Sequence, residues 1–135
     1  MRILISSVGD TDPIRGFRDG ALLHIARKYR PDKIIIIYSE RTVLRHDRIV
    51  AALHSIEESY SPEIEQYPTI IKNSEVFIFD KMYEQFERFL NPAFFNNTDE
   101  FILNLSSGTP QIKSALFIIN RLNDINVKAV QVPSP

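Results

Sequence analysis

The run Asn104-Leu105-Ser106-Ser107-Gly108-Thr109-Pro110-Gln111 gathers three hydroxyls, a glycine and two side-chain amides into eight residues. Phe101-Ile102-Leu103 before it has the composition of a strand, and Ile112, Ala115, Leu116, Ile119 and Leu122 after it recur at helical spacing. At such a junction the first N–H groups of the helix and the positive end of its dipole face outward. They hold a phosphate without any basic side chain. Gly108 permits close backbone approach to a ligand, and Pro110 gives up an N–H that a helix start does not use.

Two further loops follow strand-like runs. Ser6-Ser7-Val8-Gly9-Asp10-Thr11-Asp12-Pro13 comes after the first, and Tyr38-Ser39-Glu40-Arg41 after the second. All three carry short hydrogen-bonding side chains, and the first and third carry glycine, as backbone amides meeting phosphate or ribose require. Taken singly, Asp10, Thr11, Asp12 and Ser107 also read as helix caps and turn formers. Two hydroxyl-and-glycine turns at equivalent strand ends favour a binding site.

The elements that would position these loops alternate between strand and helix. Arg2 to Ser7 reads as a strand, Phe17 to Tyr29 as a helix with Leu22, Leu23, Ile25 and Ala26 inward, and Lys33 to Tyr38 as a strand. Its four consecutive isoleucines suit a strand covered on both faces. Arg41 to Tyr60 reads as one long helix stopped by Ser61-Pro62, and Ile64 to Tyr67 as a strand. Glu75 to Phe79 is either a strand or the lead into an amphipathic helix from Lys81 to Leu90. Asn91-Pro92 and Asn96-Asn97 mark a loop, followed by a strand from Glu100 to Leu105, a helix from Gln111 to Asn123 and a strand from Val127 to Val132. The pattern implies an α/β fold, a Rossmann-like three-layer sandwich with a mostly parallel sheet, in which ligands bind at the carboxyl edge.

Composition narrows the functional classes. At 135 residues, positions 1–135 form one domain with room for a normal core. Sixteen Lys and Arg stand against 17 Asp and Glu, so the broad positive field of a duplex-DNA-binding protein is missing. The chain has no cysteine, which excludes disulfides and thiolate metal sites and suits a cytoplasmic protein. No apolar run approaches the roughly 20 residues of a membrane span, and Met1 to Ile5 reads as a strand rather than a leader. GxGxxG, GxxxxGK[ST], HExxH and GxSxG patterns are all lacking, so no cofactor and no metal is expected.

Gly9-Asp10-Thr11-Asp12-Pro13, with Arg18-Asp19-Gly20-Ala21 downstream, together with Ser106-Ser107-Gly108-Thr109-Pro110-Gln111, resembles the amino-terminal CARF domain of the Csm-type ancillary ribonucleases of type III CRISPR systems. The resemblance spans the whole chain. It implies a sensor of cyclic oligoadenylate, six adenylates favoured over four, bound across the axis of a homodimer and controlling a nuclease domain. Carried over by position, Ser106, Ser107, Gly108 and Thr109 hold ribose and phosphate, Gln111 caps or contacts the ring, and Gly9, Asp10, Thr11 and Asp12 line the base and ribose side, with Ser39 at the next strand end. The family pattern has an asparagine where this chain has Asp10. Slow cleavage of the ring, supported by Ser107 and Thr109, is a secondary activity that the resemblance implies. The rival reading is a Rossmann-like enzyme acting on a mononucleotide in one deep pocket per protomer, and a third is a protein-interaction module with an apolar patch.

The same family carries a carboxyl-terminal HEPN nuclease domain marked by Arg, four to six residues, then His. Arg18 with His24, Arg41 with His46 and Arg48 with His54 show that spacing, but ten arginines and three histidines give roughly 0.7 such matches by chance. The histidines read as partly exposed helix residues, and the HEPN domain is expected to be absent from this chain, with Pro133 and Pro135 opening a linker. Two further expectations concern the third turn: Gly108→Val abolishes ligand binding in a protein that still folds, and Thr109→Ala removes one hydroxyl from a phosphate.

Overall fold

A computed structural model describes residues 1–96, 98–123 and 127–132. Its elements are β1 (Arg2–Ser7), β2 (Ile14–Arg15), β3 (Arg18–Asp19), α1 (Ala21–Tyr29), β4 (Lys33–Ile37), a 3₁₀ turn (Thr42–Arg45), α2 (His46–His54), β5 (Glu63–Gln66), α3 (Phe79–Phe89), β6 (Glu100–Asn104), α4 (Pro110–Leu122) and β7 (Val127–Val130). The main sheet has the order β5-β4-β1-β6-β7, and every pairing in it is parallel. β2 and β3 form a separate short hairpin. The architecture is the expected Rossmann-like α/β sandwich.

Period-two alternation along the central strands sorts their side chains into two cores. Ile3, Ile5, Ile35, Ile37, Phe101 and Leu103 pack with Met82 and Phe86 of α3 and with Leu116 and Ile119 of α4. Leu4, Ile34, Ile36 and Ile102 pack on the other face with Leu22, Leu23 and Ala26 of α1 and with Ile49 and Leu53 of α2. The isoleucine run of β4 is thus buried from both sides. Edge strand β5, Glu63-Ile64-Glu65-Gln66, keeps its charges in solvent.

Four boundaries differ from the sequence reading by two residues or more. Phe17 to Asp19 is hairpin rather than helix, and α1 starts only at Ala21, after Gly20. The long helix expected from Arg41 to Tyr60 splits into the 3₁₀ turn and α2 and ends at His54. There the Ser55 hydroxyl donates to the Ala52 carbonyl at 2.7 Å, occupying an acceptor of the last turn. Glu75 to Val76 is turn, closed by Glu75 N donating to Lys72 O and Ile78 N to Glu75 O, so α3 begins at Phe79. β7 stops at Val130, two residues early. The expectations for Asn97, Pro133 and Pro135 lie outside the described residues. Among the described residues, no helix is long and apolar enough to cross a membrane.

β1 and β6 are neighbours, and the chain crosses from β1 to β4 on one side but from β6 to β7 on the other, in opposite directions. Such a switch point opens a crevice at the carboxyl ends of the strands. Here that crevice lies between the loops after β1 and β6.

Three tyrosines tie the periphery to this frame. Tyr38 OH pairs with His46 Nδ1 at 2.8 Å, Tyr60 OH donates to Pro31 O at 2.7 Å, and Tyr67 OH donates to Gln85 O at 2.8 Å. Burial raises all three phenols, Tyr60 to about 12, and Asp47 adds to the rise at Tyr38. A phenol whose folded value lies above its unfolded value of 10.0 contributes fully below pH 10 and loses that contribution as pH rises through the folded value. Resistance to urea is therefore expected to fall steeply between pH 10 and 12, and less steeply in Tyr60→Phe. Equal pH dependence in parent and variant would count against that coupling.

Candidate ligand site at the strand edge

The loop after β1 folds around one carboxylate. Asp12 is 3% exposed, and its Oδ2 accepts from Gly9 N at 2.9 Å and from Ser107 Oγ at 2.6 Å, while Oδ1 accepts from Leu22 N at 3.0 Å. A single side chain thus closes its own loop, caps α1 near its N-terminus and grips the loop after β6. Capping from outside the helix fits the first turn of α1, where Gly20 supplies no side chain. A Cβ at Gly20 would sit 2.4 Å from Asp12 Oδ1, so the glycine makes room for the carboxylate.

Asn104, wholly buried at the end of β6, extends the grip. Its Nδ2 donates to Ser6 Oγ and Ser107 Oγ, both at 2.9 Å, and its Oδ1 accepts from Ser106 N at 2.8 Å. Arg45 straps the first loop from the far side, donating to Gly9 O at 2.8 Å and Asp12 O at 3.2 Å. Every buried polar group in this chain of contacts meets a partner, which makes the crevice rigid.

The polar atoms of Asp12, Asn104 and Ser107 are spent on one another, while several backbone groups of the same loops stay unpaired. The N–H groups of Asp10, Thr11, Gly108 and Thr109 find no acceptor among the described residues. Gly108 has φ of +104°, and Thr109 caps α4, its Oγ1 accepting from Ile112 N at 3.2 Å and donating to Val76 O. The result is a set of unpaired amides beside a helix N-terminus, which is chemistry for an anion.

Two cavities flank this ridge. The first, about 370 Å³, is lined by Gly9, Asp10, Ser39, Gly108 and Thr109 together with Arg41, Asn73 and Phe77. The second, about 730 Å³, is lined by Gly9, Asp10, Thr11, Ser106, Ser107 and Gly108 together with Phe17, Arg18 and His24. The crevice thus unites most of the residues singled out in the sequence. Asp12 lies beneath it, and Gln111 lines neither cavity, its Oε1 buried without a partner among the described residues. Tyr38 is buried against His46, while Ser39 and Thr42 cap one another, Ser39 N donating to Thr42 Oγ1 at 2.8 Å and Thr42 N to Ser39 Oγ at 3.2 Å. His24 and His54 are exposed on α1 and α2.

Sequence reasoning missed Asn73, Phe77 and Phe17. Phe77 sits in the stretch that read as strand or helix, Asn73 just before it where no element was assigned, and Phe17 in the hairpin that read as helix. Only the aromatic residues left over once the core was filled could have flagged them: Phe17 and Phe77 are both largely exposed. Among the described residues no group of three or more His, Asp or Glu is placed to hold a metal ion.

The geometry corrects the expectation that Gly108→Val spares folding. Besides the positive φ, a Cβ there would lie 2.9 Å from Ser7 Oγ and 3.1 Å from Ile112 Cγ2. Thr109→Ala likewise removes a helix cap, at about 0.5–2 kcal/mol of stability. Asp12→Asn is the sharper probe, because in either amide orientation an NH₂ faces a donor. It is expected to lose about 1–3 kcal/mol in urea unfolding. An unchanged midpoint would show that the carboxylate is dispensable.

Comparison with known proteins places this geometry in a family. The Cas_Csm6 CARF domain model matches residues 67–135, just over half of the chain. The CRISPR system endoribonuclease Csm6′ of Streptococcus thermophilus is 60% identical over 135 residues, covering 100% of this chain and 35% of its own length. Csm6 of the same organism is 56% identical over 135 residues, covering 100% of this chain and 31% of its own. The solved structure of Enterococcus italicus Csm6 bound to cyclic hexa-2′-fluoro-hexa-dAMP superimposes with a TM-score of 0.78 at 29% identity, over 100% of this chain and 34% of that one. Can2 from Sulfobacillus thermosulfidooxidans, in complex with cyclic tetra-adenylate, shares the fold with a TM-score of 0.66 at 18% identity, over 98% of this chain and 32% of that one. The chain therefore spans about a third of the length of the curated relatives it matches. It belongs to the Cas_Csm6 CARF domain family.

Proposed function

We propose that residues 1–135 form a sensor domain that binds cyclic oligoadenylate, six adenylates in preference to four, and controls a HEPN ribonuclease domain in the longer protein. The observation that carries this reading is the ridge of unpaired amides at Asp10, Thr11, Gly108 and Thr109, held by the Asp12, Asn104 and Ser107 network. A polyanionic ring needs many donors and little fixed charge, and neutral amides meet both needs. The Enterococcus italicus Csm6 structure, which shares this fold at 29% identity, holds a cyclic hexanucleotide analogue.

A ring with several phosphates calls for more donors than one chain's two loops offer, which favours a homodimer with the Ser106 to Gln111 turns facing across the axis. α4 begins at that turn, and Phe117, Ile118 and Leu122 are exposed along it, as 49%, 37% and 67% of their surfaces. A second copy would cover them. The hydroxyls of Ser107 and Thr109 already donate within the protein, so the backbone supplies the phosphate contacts in this reading.

Calorimetry with cyclic hexa- and tetraadenylate tests the proposal, with light scattering run alongside. Binding is expected at one ring per two chains, tighter for the hexamer, in a particle of dimer mass. A monomer with and without ligand, or heat only with a mononucleotide at one per chain, would favour the single-pocket enzyme instead.

A further inference from the structure

The smaller cavity carries at its mouth an ion pair that phosphate binding leaves unused. Asp10 and Arg41 pair there across two loops, with 72% and 61% of their side chains exposed. Val8, Ile37, Ile71, Val76, Phe77 and Ile112 make the lining mostly apolar, with a few hydroxyls among them. A hydrated phosphate gains nothing from such walls. A flat, weakly polar base gains from both the burial and the aromatic face of Phe77.

The position of Arg41 is not left to chance. Its backbone N–H donates to Asn73 Oδ1 at 3.1 Å, Asn73 N donates to Glu40 Oε1 at 2.8 Å, and Glu40 N donates to Ile71 O at 2.9 Å. These bonds stitch the loop after β4 to the turn carrying Phe77. The rim and the walls of the cavity are therefore one unit.

We propose that this cavity takes a single 6-aminopurine base of the ring, and that Asp10 and Arg41 together read its edge. The inference rests on the cyclic oligoadenylate reading above and assigns the base-discriminating residues within it. An ionised carboxylate only accepts and a guanidinium only donates. Adenine presents the complement, its amino group donating beside a ring nitrogen that accepts. Asp10 takes the amino hydrogen and Arg41 gives one to the neighbouring nitrogen. Because the two charges cancel, the pair adds a donor and an acceptor without a net field against the polyanion.

Titration of the 135-residue chain with cyclic hexaadenylate, and with the same ring built from purine riboside units that lack the 6-amino group, tests the assignment. The parent is expected to bind the amino-free ring about tenfold to a hundredfold more weakly. Asp10→Ala, whose exposed site should leave melting unchanged, is expected to bind the two rings alike, and Arg41→Gln to weaken both. The inference is overturned if the parent binds both rings equally, if Asp10→Ala still discriminates, or if Asp10→Ala binds the adenylate ring more tightly than the parent, which would make the carboxylate merely repulsive. Failure of the parent to bind the adenylate ring at all would instead sink the proposed function, and this inference with it.

Discussion

Two loops that are about a hundred residues apart in sequence meet at the edge of the sheet because Asp12 reaches between them. Its carboxylate accepts from the Gly9 amide, the Ser107 hydroxyl and the Leu22 amide at the start of α1. Burying a carboxylate is costly unless hydrogen bonds replace its water, and here three donors do so. The same contacts set the distance between the Gly9–Asp12 loop and the Ser106–Thr109 turn. Everything the crevice offers a ligand follows from that spacing.

The consequence is a division of labour between side chain and backbone. Ser107, Asn104 and Asp12 face inward and spend their polar atoms on each other. The amides of Asp10, Thr11, Gly108 and Thr109 in the same loops find no acceptor among the described residues. A site built this way is electrically nearly neutral, in keeping with a chain whose formal net charge is −1. It would hold a polyanion by many weak, preorganised donors rather than by a few strong charges, which favours a specific ring over polyanions at large. The distribution of aromatic residues fits the same picture. Tyr38, Tyr67, Phe86, Phe95 and Phe101 fill the core, while the exposed Phe17 and Phe77 stand at the two cavities.

The sheet and its edge loops were legible in the sequence because their signals are local. A run of four isoleucines, a hydroxyl-rich turn between strand and helix, and Pro110 at a helix start each carry their own physics. What sequence hid was long-range. Nothing near Asp12 announces that its partner is Ser107, and as a local cap it reads quite differently. The early end of the long helix, at His54, involves a hydroxyl at Ser55, and the turn from Asn73 to Phe77 has mixed composition that fits strand, helix or loop. Its role becomes visible only when Asn73 is seen bonded to Glu40 and Arg41. Glycine shows both sides of this limit. Gly108 looked like an approach point for ligand, yet its φ and its contact with Ser7 make it a folding residue as well.

Amide hydrogen exchange, resolved by residue with and without cyclic hexaadenylate, addresses the ridge of unpaired amides most directly. Ligand should slow exchange at Asp10, Thr11, Gly108 and Thr109 while the amides of the central strands, already bonded in the sheet, change little. Protection confined to other surfaces, with those four amides exchanging as fast as before, would contradict the assignment of the strand-edge crevice as the binding site.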